Sequence, residues 1–255
     1  MADIDFFVYK QFEKTFSNAK AFVNKECPYD CDTSGHCPFN ICETLVPCAE
    51  ESPYIECVYD VVANRDSGGT IVSYPSIRLY YVNPCNAFSM KVDDKPAQAL
   101  SAYYTFDSEG EHVVRFYSRN KITTTTYEAF GNCPNLVTLR HIDDMTAFAR
   151  RTFYKCGIKY LEIPSGVTTI PYEFAYDAKR FKEIIIPKTI TGIDGFSFRG
   201  TTGTDFMKVY SERPPTLISN NQFTGASWPI YVPADSVNAY KSAWGSVYAS
   251  RIKPM

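Results

Sequence analysis

The sequence is poor in the features that announce chemistry. Its 255 residues contain only three histidines, His36, His112 and His141, and they are scattered. No Gly-x-Ser-x-Gly elbow, His-Glu-x-x-His helix, Gly-x-x-x-x-Gly-Lys phosphate loop or Gly-x-Gly-x-x-Gly turn occurs. A thiol enzyme would need a base beside its Cys, but His112 falls in an alternating strand pattern and His141 in a repeat. A hydrolase or transferase therefore has no support, and a non-enzymatic protein with no cofactor is expected. A net charge of -2 and a pI near 6.0 carry no electrostatic footprint for nucleic acid or an anionic membrane. Short charge clusters such as Arg150-Arg151, Asp93-Asp94 and Asp143-Asp144 read as solvated faces or loops.

Long apolar runs are also missing. No segment approaches the roughly 20 apolar residues of a membrane helix, so membrane insertion is not expected. A secretory leader has a basic start and an apolar run of about 7 to 15 residues. Here Asp3 and Asp5 come first and the apolar run is only Phe6 to Tyr9. The expectation is that Met1 either replaces a leader or begins a protein that reaches its place of work without Sec export.

What is present is a folded, aromatic-rich composition, 45% hydrophobic and 15% aromatic, far from the disordered range and long enough for two or three modules with real cores. The dominant signal is a period. Phe130, Phe153, Phe174 and Phe198 recur at 21 to 24 residues, and a period in this range marks small units stacked on copies of themselves, because one unit cannot bury its own apolar face. The first unit runs Phe130, Cys133, Leu136, Leu139, Ile142, and the second Phe153, Cys156, Ile158, Leu161, Ile163-Pro164, Val167, Ile170. The third runs Phe174, Phe181, Ile184, Ile186-Pro187, Ile190, Ile193, with Asp177 at the place of the Cys. The fourth starts at Phe198, loses its middle to a polar insert at 201 to 204, and recovers in Phe206, Val209 and Tyr231-Val232-Pro233. Leu161 and Ile163, like Ile184 and Ile186, alternate as a short strand with one face inward. The following Pro cannot donate to a ladder and ends it. Cys133 and Cys156 read as small buried hydrophobes.

This pattern, Phe-x-x-Cys-x-x-Leu-x-x-Leu-x-Ile-Pro-x-x-Val-x-x-Ile, resembles the BspA-like leucine-rich repeat of surface proteins and of proteins from gut bacteria and their phages. The tail from Ile230 to Trp244, closing with Tyr248 to Met255, is similar to the end of such arrays. Met90 to Asp94 and Tyr104 to Val114 resemble the β-rich module that often precedes them. The likeness covers about 57 to 255. It implies a short solenoid and a binding function, since the family is defined by stacking and not by a reaction.

The remainder divides into further parts. Residues 1–56 read as a helix followed by a Cys-rich attachment segment, with Val8, Phe12, Phe16, Ala19 and Val23 on one stripe at helical spacing. Such a stripe docks on its own domain or on a partner. Its mixed polar face, Asp5, Lys10, Glu13, Lys14 and Lys20, lacks the cationic excess of a membrane-surface helix. Cys27, Cys31, Cys37, Cys42, Cys48 and Cys57 follow among prolines. Disulfides, a zinc site completed by His36, and reduced buried thiols all remain open for these six. Residues 57–119 read as an antiparallel β module of immunoglobulin-like proportions, with strands at 54–62, 77–81, 87–92, 101–106 and 112–117. The repeats occupy 120–232 and a C-terminal cap 233–255. The fold class expected is thus mainly β: a leucine-rich-repeat solenoid preceded by a small β-sandwich-like domain, an N-terminal helix and a Cys-rich segment.

Repeats of this kind present a rigid face, and tyrosines supply large area with a polar tip at low entropic cost. Tyr154, Tyr160, Tyr172 and Tyr176 are the candidate binding residues, while Val8, Phe12, Phe16 and Val23 are the candidate attachment residues. The expected role is a binding or structural module on a particle or surface. The first choice is a phage virion component contacting a host surface or neighbouring subunits, released by lysis. The alternatives are a secreted or cell-surface bacterial adhesin that binds a host protein or glycan, and an intracellular zinc-stabilised scaffold. Partners are then other proteins, with a homo-oligomer among the arrangements admitted.

Overall fold

The computed structural model describes residues 52–219 and 221–255. The expected N-terminal helix with Val8, Phe12, Phe16 and Val23, and every cysteine of the cluster except Cys57, lie outside the described residues.

Among the described residues seven strands precede Phe130: β1 (Tyr54–Val61), β2 (Asn64–Arg65), β3 (Ile71–Ser73), β4 (Ser76–Arg78), β5 (Ser89–Val92), β6 (Tyr103–Thr105) and β7 (Gly110–Tyr117). The repeats add β8 (Leu136–Arg140), β9 (Tyr160–Glu162), β10 (Thr169–Ile170), β11 (Glu183–Ile186), β12 (Gly192–Ile193), β13 (Phe206–Val209), β14 (Thr216–Leu217) and β15 (Ile230–Val232). Two helices, α1 (Val237–Trp244) and α2 (Ser246–Ala249), and strand β16 (Ile252–Pro254) close the chain. One 9-stranded sheet dominates, in the order β16-β15-β13-β11-β9-β8-β1-β7-β5. From β8 to β16 it is parallel, and β1 joins β8 antiparallel, with Cys57 opposite Leu139. A second parallel sheet, β10-β12-β14, lines another side of the coil.

The separate sandwich expected over 57–119 is therefore corrected. Strands β1, β7 and β5 are the antiparallel start of the repeat sheet, covered by the β4–β6 ribbon through Ile77, Leu79 and Phe106. Alternation reveals which face of a strand is buried but not which strand lies at its edge, so the pattern could not show that β1 pairs onward with β8. Backbone bonds reinforce the junction: Asp60 N–H donates to the Asn135 carbonyl at 2.9 Å and Tyr81 N–H to the Ala129 carbonyl at 2.8 Å.

Inside the coil the phenylalanines form a column. Phe130 stacks on Phe153 at 5.9 Å, Phe153 meets Phe174 at 5.1 Å, Phe174 meets Phe198 at 6.0 Å, and Phe198 stacks on Phe223 at 6.1 Å. Phe223 opens a fifth unit that the four-unit reading left uncounted, and its ring runs on into Trp228, Trp244 and Tyr248. The cap thus finishes the column: Tyr240 donates to the Ser211 carbonyl at 2.7 Å and Trp244 Nε1 to the Pro215 carbonyl at 2.9 Å.

Two details of the repeat are corrected by backbone bonding. The N–H groups of Phe130, Phe153, Ala175 and Phe198 donate to the carbonyls of Thr152, Phe174, Ser197 and Gln222. Ala175 is hence the counterpart of the other phenylalanines, Phe174 sits one place early, and the counterpart of Cys133 and Cys156 is the buried Ala178, not Asp177. Asp177 occupies a left-handed turn position, φ 60°, that Asn132, Lys155, Gly200 and Gly225 fill in the other units. The polar tract 201–204 keeps its first and last residues in the core. Thr201 and Thr204 are buried, Thr201 Oγ1 donating to the Phe198 carbonyl at 2.7 Å and Thr204 Oγ1 to the Thr201 carbonyl at 3.3 Å.

Coil-on-coil contact is tight at one turn. A Cβ on Gly157 would lie 1.8 Å from the Pro134 carbonyl oxygen, and one on Gly203 1.9 Å from that of Lys179. Because backbone is what it would strike, Gly157→Ala is expected to destabilise by about 3 kcal/mol. Gly68→Ala, whose nearest neighbour is a side-chain oxygen at 3.4 Å, is expected to cost under about 1 kcal/mol. Urea unfolding of the two variants checks this, and equal losses would contradict the stacking described.

Candidate binding faces of the repeat

Two surfaces leave the coil with side chains in regular columns. The first is the outer face of the large sheet. Strand alternation sends Leu161, Ile184, Ile186, Met207 and Val209 inward and leaves Tyr160, Glu162, Glu183, Ile185, Phe206 and Lys208 outward. Parallel register sets these in rows: Tyr160 beside Glu183 beside Phe206, and Glu162 beside Ile185 beside Lys208 beside Tyr231. Phe206 and Tyr231 meet edge to face at 5.9 Å. Toward β1 the same face becomes ionic. Glu56, 5% exposed, accepts from Arg115 at 3.0 Å and Arg140 at 3.3 Å, and Asp60 pairs with Lys159 at 3.2 Å.

The second surface is the turn face. Each coil passes through two left-handed residues four apart: Glu128 and Asn132, Arg151 and Lys155, Glu173 and Asp177, then Phe196 and Gly200. Such backbone costs a non-glycine residue about 1–2 kcal/mol, offset here by inter-coil bonds. Lys155 N–H donates to the Tyr176 carbonyl at 2.8 Å and Asp177 N–H to that of Arg199 at 2.7 Å. The register places unlike charges in line. Arg151 donates to Glu173 and to Glu128, the latter at 3.0 Å, and these bonds, Glu173 first, raise its already high pKa further.

The four candidate tyrosines do not gather. Tyr160 stands on the sheet face. Tyr154 and Tyr176 stack at 5.4 Å with their planes 19° apart on the turn face, and Tyr172 lies in a neighbouring column against Phe196 at 5.6 Å. Sequence reasoning missed Phe206, Tyr231 and Arg199 as members of these faces. The period that marked Phe130 would also have marked Arg199 as the successor of Tyr176, had the one-residue shift of Phe174 been visible.

Among the described residues, one grouping that carries a base and a hydroxyl is Asp93, His112 and Ser108, where His112 Nδ1 lies 2.8 Å from Asp93 Oδ2. The other ring nitrogen, however, lies closer to the Ser108 carbonyl, 3.0 Å, than to its hydroxyl, 3.4 Å. The imidazole is thus held between Asp93 and the turn that joins β6 to β7. Two hollows of about 410 and 440 Å³ flank Ile122, one lined by His141, Asp143 and Asp144 and the other by Cys85 and Lys121. The four described thiols, Cys57, Cys85, Cys133 and Cys156, are free and buried. Burial pushes Cys85 and Cys156 up to about 12, the opposite of an activated nucleophile. No three potential metal ligands cluster among the described residues.

Residues 102–227 match the family model described as BspA type leucine rich repeat region, in 6 copies. These residues are a BspA-type leucine-rich repeat region. The matched stretch begins upstream of Phe130, just before β6, and takes in β6 and β7, so the repeat region exceeds the four units read from the phenylalanines. Leucine-rich repeats generally mediate protein–protein interaction, and the coarse function of this chain is that of an interaction module. Comparison with curated proteins finds no match. No described helix is long and apolar enough to cross a membrane.

Two tests follow from these groups. A thiol whose folded pKa lies above its unfolded value stabilises fully below the latter and loses that contribution as pH rises toward the folded value. Stability is therefore expected to fall from pH 9.0 toward about 12. The decline should be shallower in a Cys85→Ala/Cys156→Ala variant, measured by urea unfolding at stepped pH. Separately, Arg151→Gln leaves Glu128 and Glu173, side chains 15% and 13% exposed, without their shared cation. The loss is expected to be about 1–2 kcal/mol, reduced from a buried pair because Arg151 is a third exposed. A midpoint unchanged in thermal unfolding would show the pair to be idle.

Proposed function

We propose that this protein is a non-enzymatic interaction module of a phage particle, with the outer face of its parallel sheet contacting a protein on the host surface or a neighbouring subunit. The observation that carries the reading is the row structure of that face. Tyr160, Phe206, Ile185 and Tyr231 stand among Glu162, Glu183 and Lys208 on a sheet whose other face is wholly core. Aromatic side chains held rigid by a scaffold and interleaved with charge suit protein recognition. Attachment in this proposal runs through residues 1–56, by Val8, Phe12, Phe16 and Val23. The buried, unpaired state of the described thiols supports folding in a reducing cytosol followed by release on lysis. No zinc or other cofactor is part of the proposal.

Co-sedimentation with purified particles and adhesion to host cells separate the two roles. Deletion of residues 1–25 is expected to abolish co-sedimentation while thermal unfolding of the rest is retained. A Tyr160→Ala/Phe206→Ala/Lys208→Glu chain should still co-sediment but lose adhesion roughly a hundredfold. A wild-type chain that never associates with particles would overturn the virion role. A triple variant that adheres normally would remove the sheet face from it.

A further inference from the structure

The turn face carries a second, differently built surface. An unbroken circuit of ring and cation contacts crosses it. Arg150 lies over the Tyr172 ring at 4.6 Å, Tyr172 meets Phe196 at 5.6 Å, and Arg199 lies 5.3 Å from Phe196 and 5.6 Å from Tyr176. Tyr176 then stacks on Tyr154, and Lys155 lies over Tyr154 at 5.2 Å. The acidic groups nearby are already engaged: Glu128 and Glu173 by Arg151, and Asp177 by Lys179 at 3.5 Å. Arg150, Lys155 and Arg199 form no ion pair with any described carboxylate, so the face has surplus positive charge.

From this we infer that the turn face binds an acidic polysaccharide carrying carboxylates, a polyuronate-like chain. Ring faces are occupied by the stacking, so the surface offers hydroxyl edges of Tyr154, Tyr172 and Tyr176 and the tips of the three cations. Planar guanidinium forks match planar carboxylates, and tyrosine hydroxyls suit the hydroxyl groups between them. Arg150 and Arg199 belong to coils two apart, roughly 10 Å along the stacking axis at the strand spacing, and sit at different places in their turns, so acidic groups of one extended polymer crossing the face can meet both. An acidic peptide is less suited: the turn backbone bonds from coil to coil, as Lys155 N–H does to Tyr176 and Asp177 N–H to Arg199, and is not an open strand edge to extend. The inference stands independently of the sheet-face reading, because it concerns different residues.

The test uses the full chain with alginate, neutral dextran and polyglutamate, read by calorimetry and by salt titration. Alginate is expected to bind, weakening as salt rises, and dextran not to bind. Arg150→Ala/Arg199→Ala should weaken alginate binding at least roughly tenfold. Lys155→Glu, at an exposed position, should weaken it in the same direction with an unchanged melting temperature. Absence of alginate binding would overturn the inference. So would polyglutamate binding equally tightly with the same sensitivity, or loss of alginate binding in the Tyr160→Ala/Phe206→Ala/Lys208→Glu chain but not in the turn-face variants.

Discussion

Each coil of this protein can bury its aromatic residue only against the coils before and after it, and that mutual burial is the constraint on which everything else rests. Phe130, Phe153, Phe174, Phe198 and Phe223 are all at most 1% exposed, yet each owes its burial to rings from neighbouring coils. Ends are consequently the weak points of such a stack. One is closed by β1, β7 and β5, which extend the sheet past β8, and the other by Trp228, Trp244 and Tyr248 around Phe223.

Stacking also converts a sequence period into spatial columns. Once the backbone bonds run from coil to coil in register, residues about 23 apart become neighbours at strand spacing. Charges fall into line as Glu128, Arg151 and Glu173, and rings as Tyr154 and Tyr176. Surface character is therefore set column by column. The sheet face alternates aromatic with charged residues of both signs, while the turn face spends its carboxylates on Arg151 and Lys179 and keeps its other cations free. Two faces of unlike chemistry on one rigid coil are suited to two kinds of partner.

Much of the architecture was legible in the residue order. The apolar spacing of Leu161, Ile163, Ile184 and Ile186 marked inward strand positions, and all four are buried. The burial of Cys133 and Cys156 followed from the repeat as well. Three features were not legible, each for a physical reason. Phe223 sits in a unit whose strand, Ile230–Val232, is followed by helix, so its surroundings do not repeat. The shift of Phe174 hides the true partner of Cys133, because its ring stands one residue before Ala175, the position that the hydrogen-bond register marks. The hairpin of β2 and β3 around Gly68-Gly69 is exposed on both strands, so no alternation announced it.

Taken alone, the order of residues determined that this chain stacks small aromatic units into a β-rich coil, since the recurrence of Phe, Leu and Ile dictates what must be hidden from water. It also marked tyrosines as surface features. Only the folded coil decided which of them meet. Tyr160 departs along the sheet while Tyr154 and Tyr176 are pressed together, because strand alternation and the left-handed turns aim side chains in directions that one-dimensional spacing does not contain. The joining of β1 to β8 belongs to the same class of decision, since strand-edge pairing depends on hydrogen-bond groups that every residue carries alike.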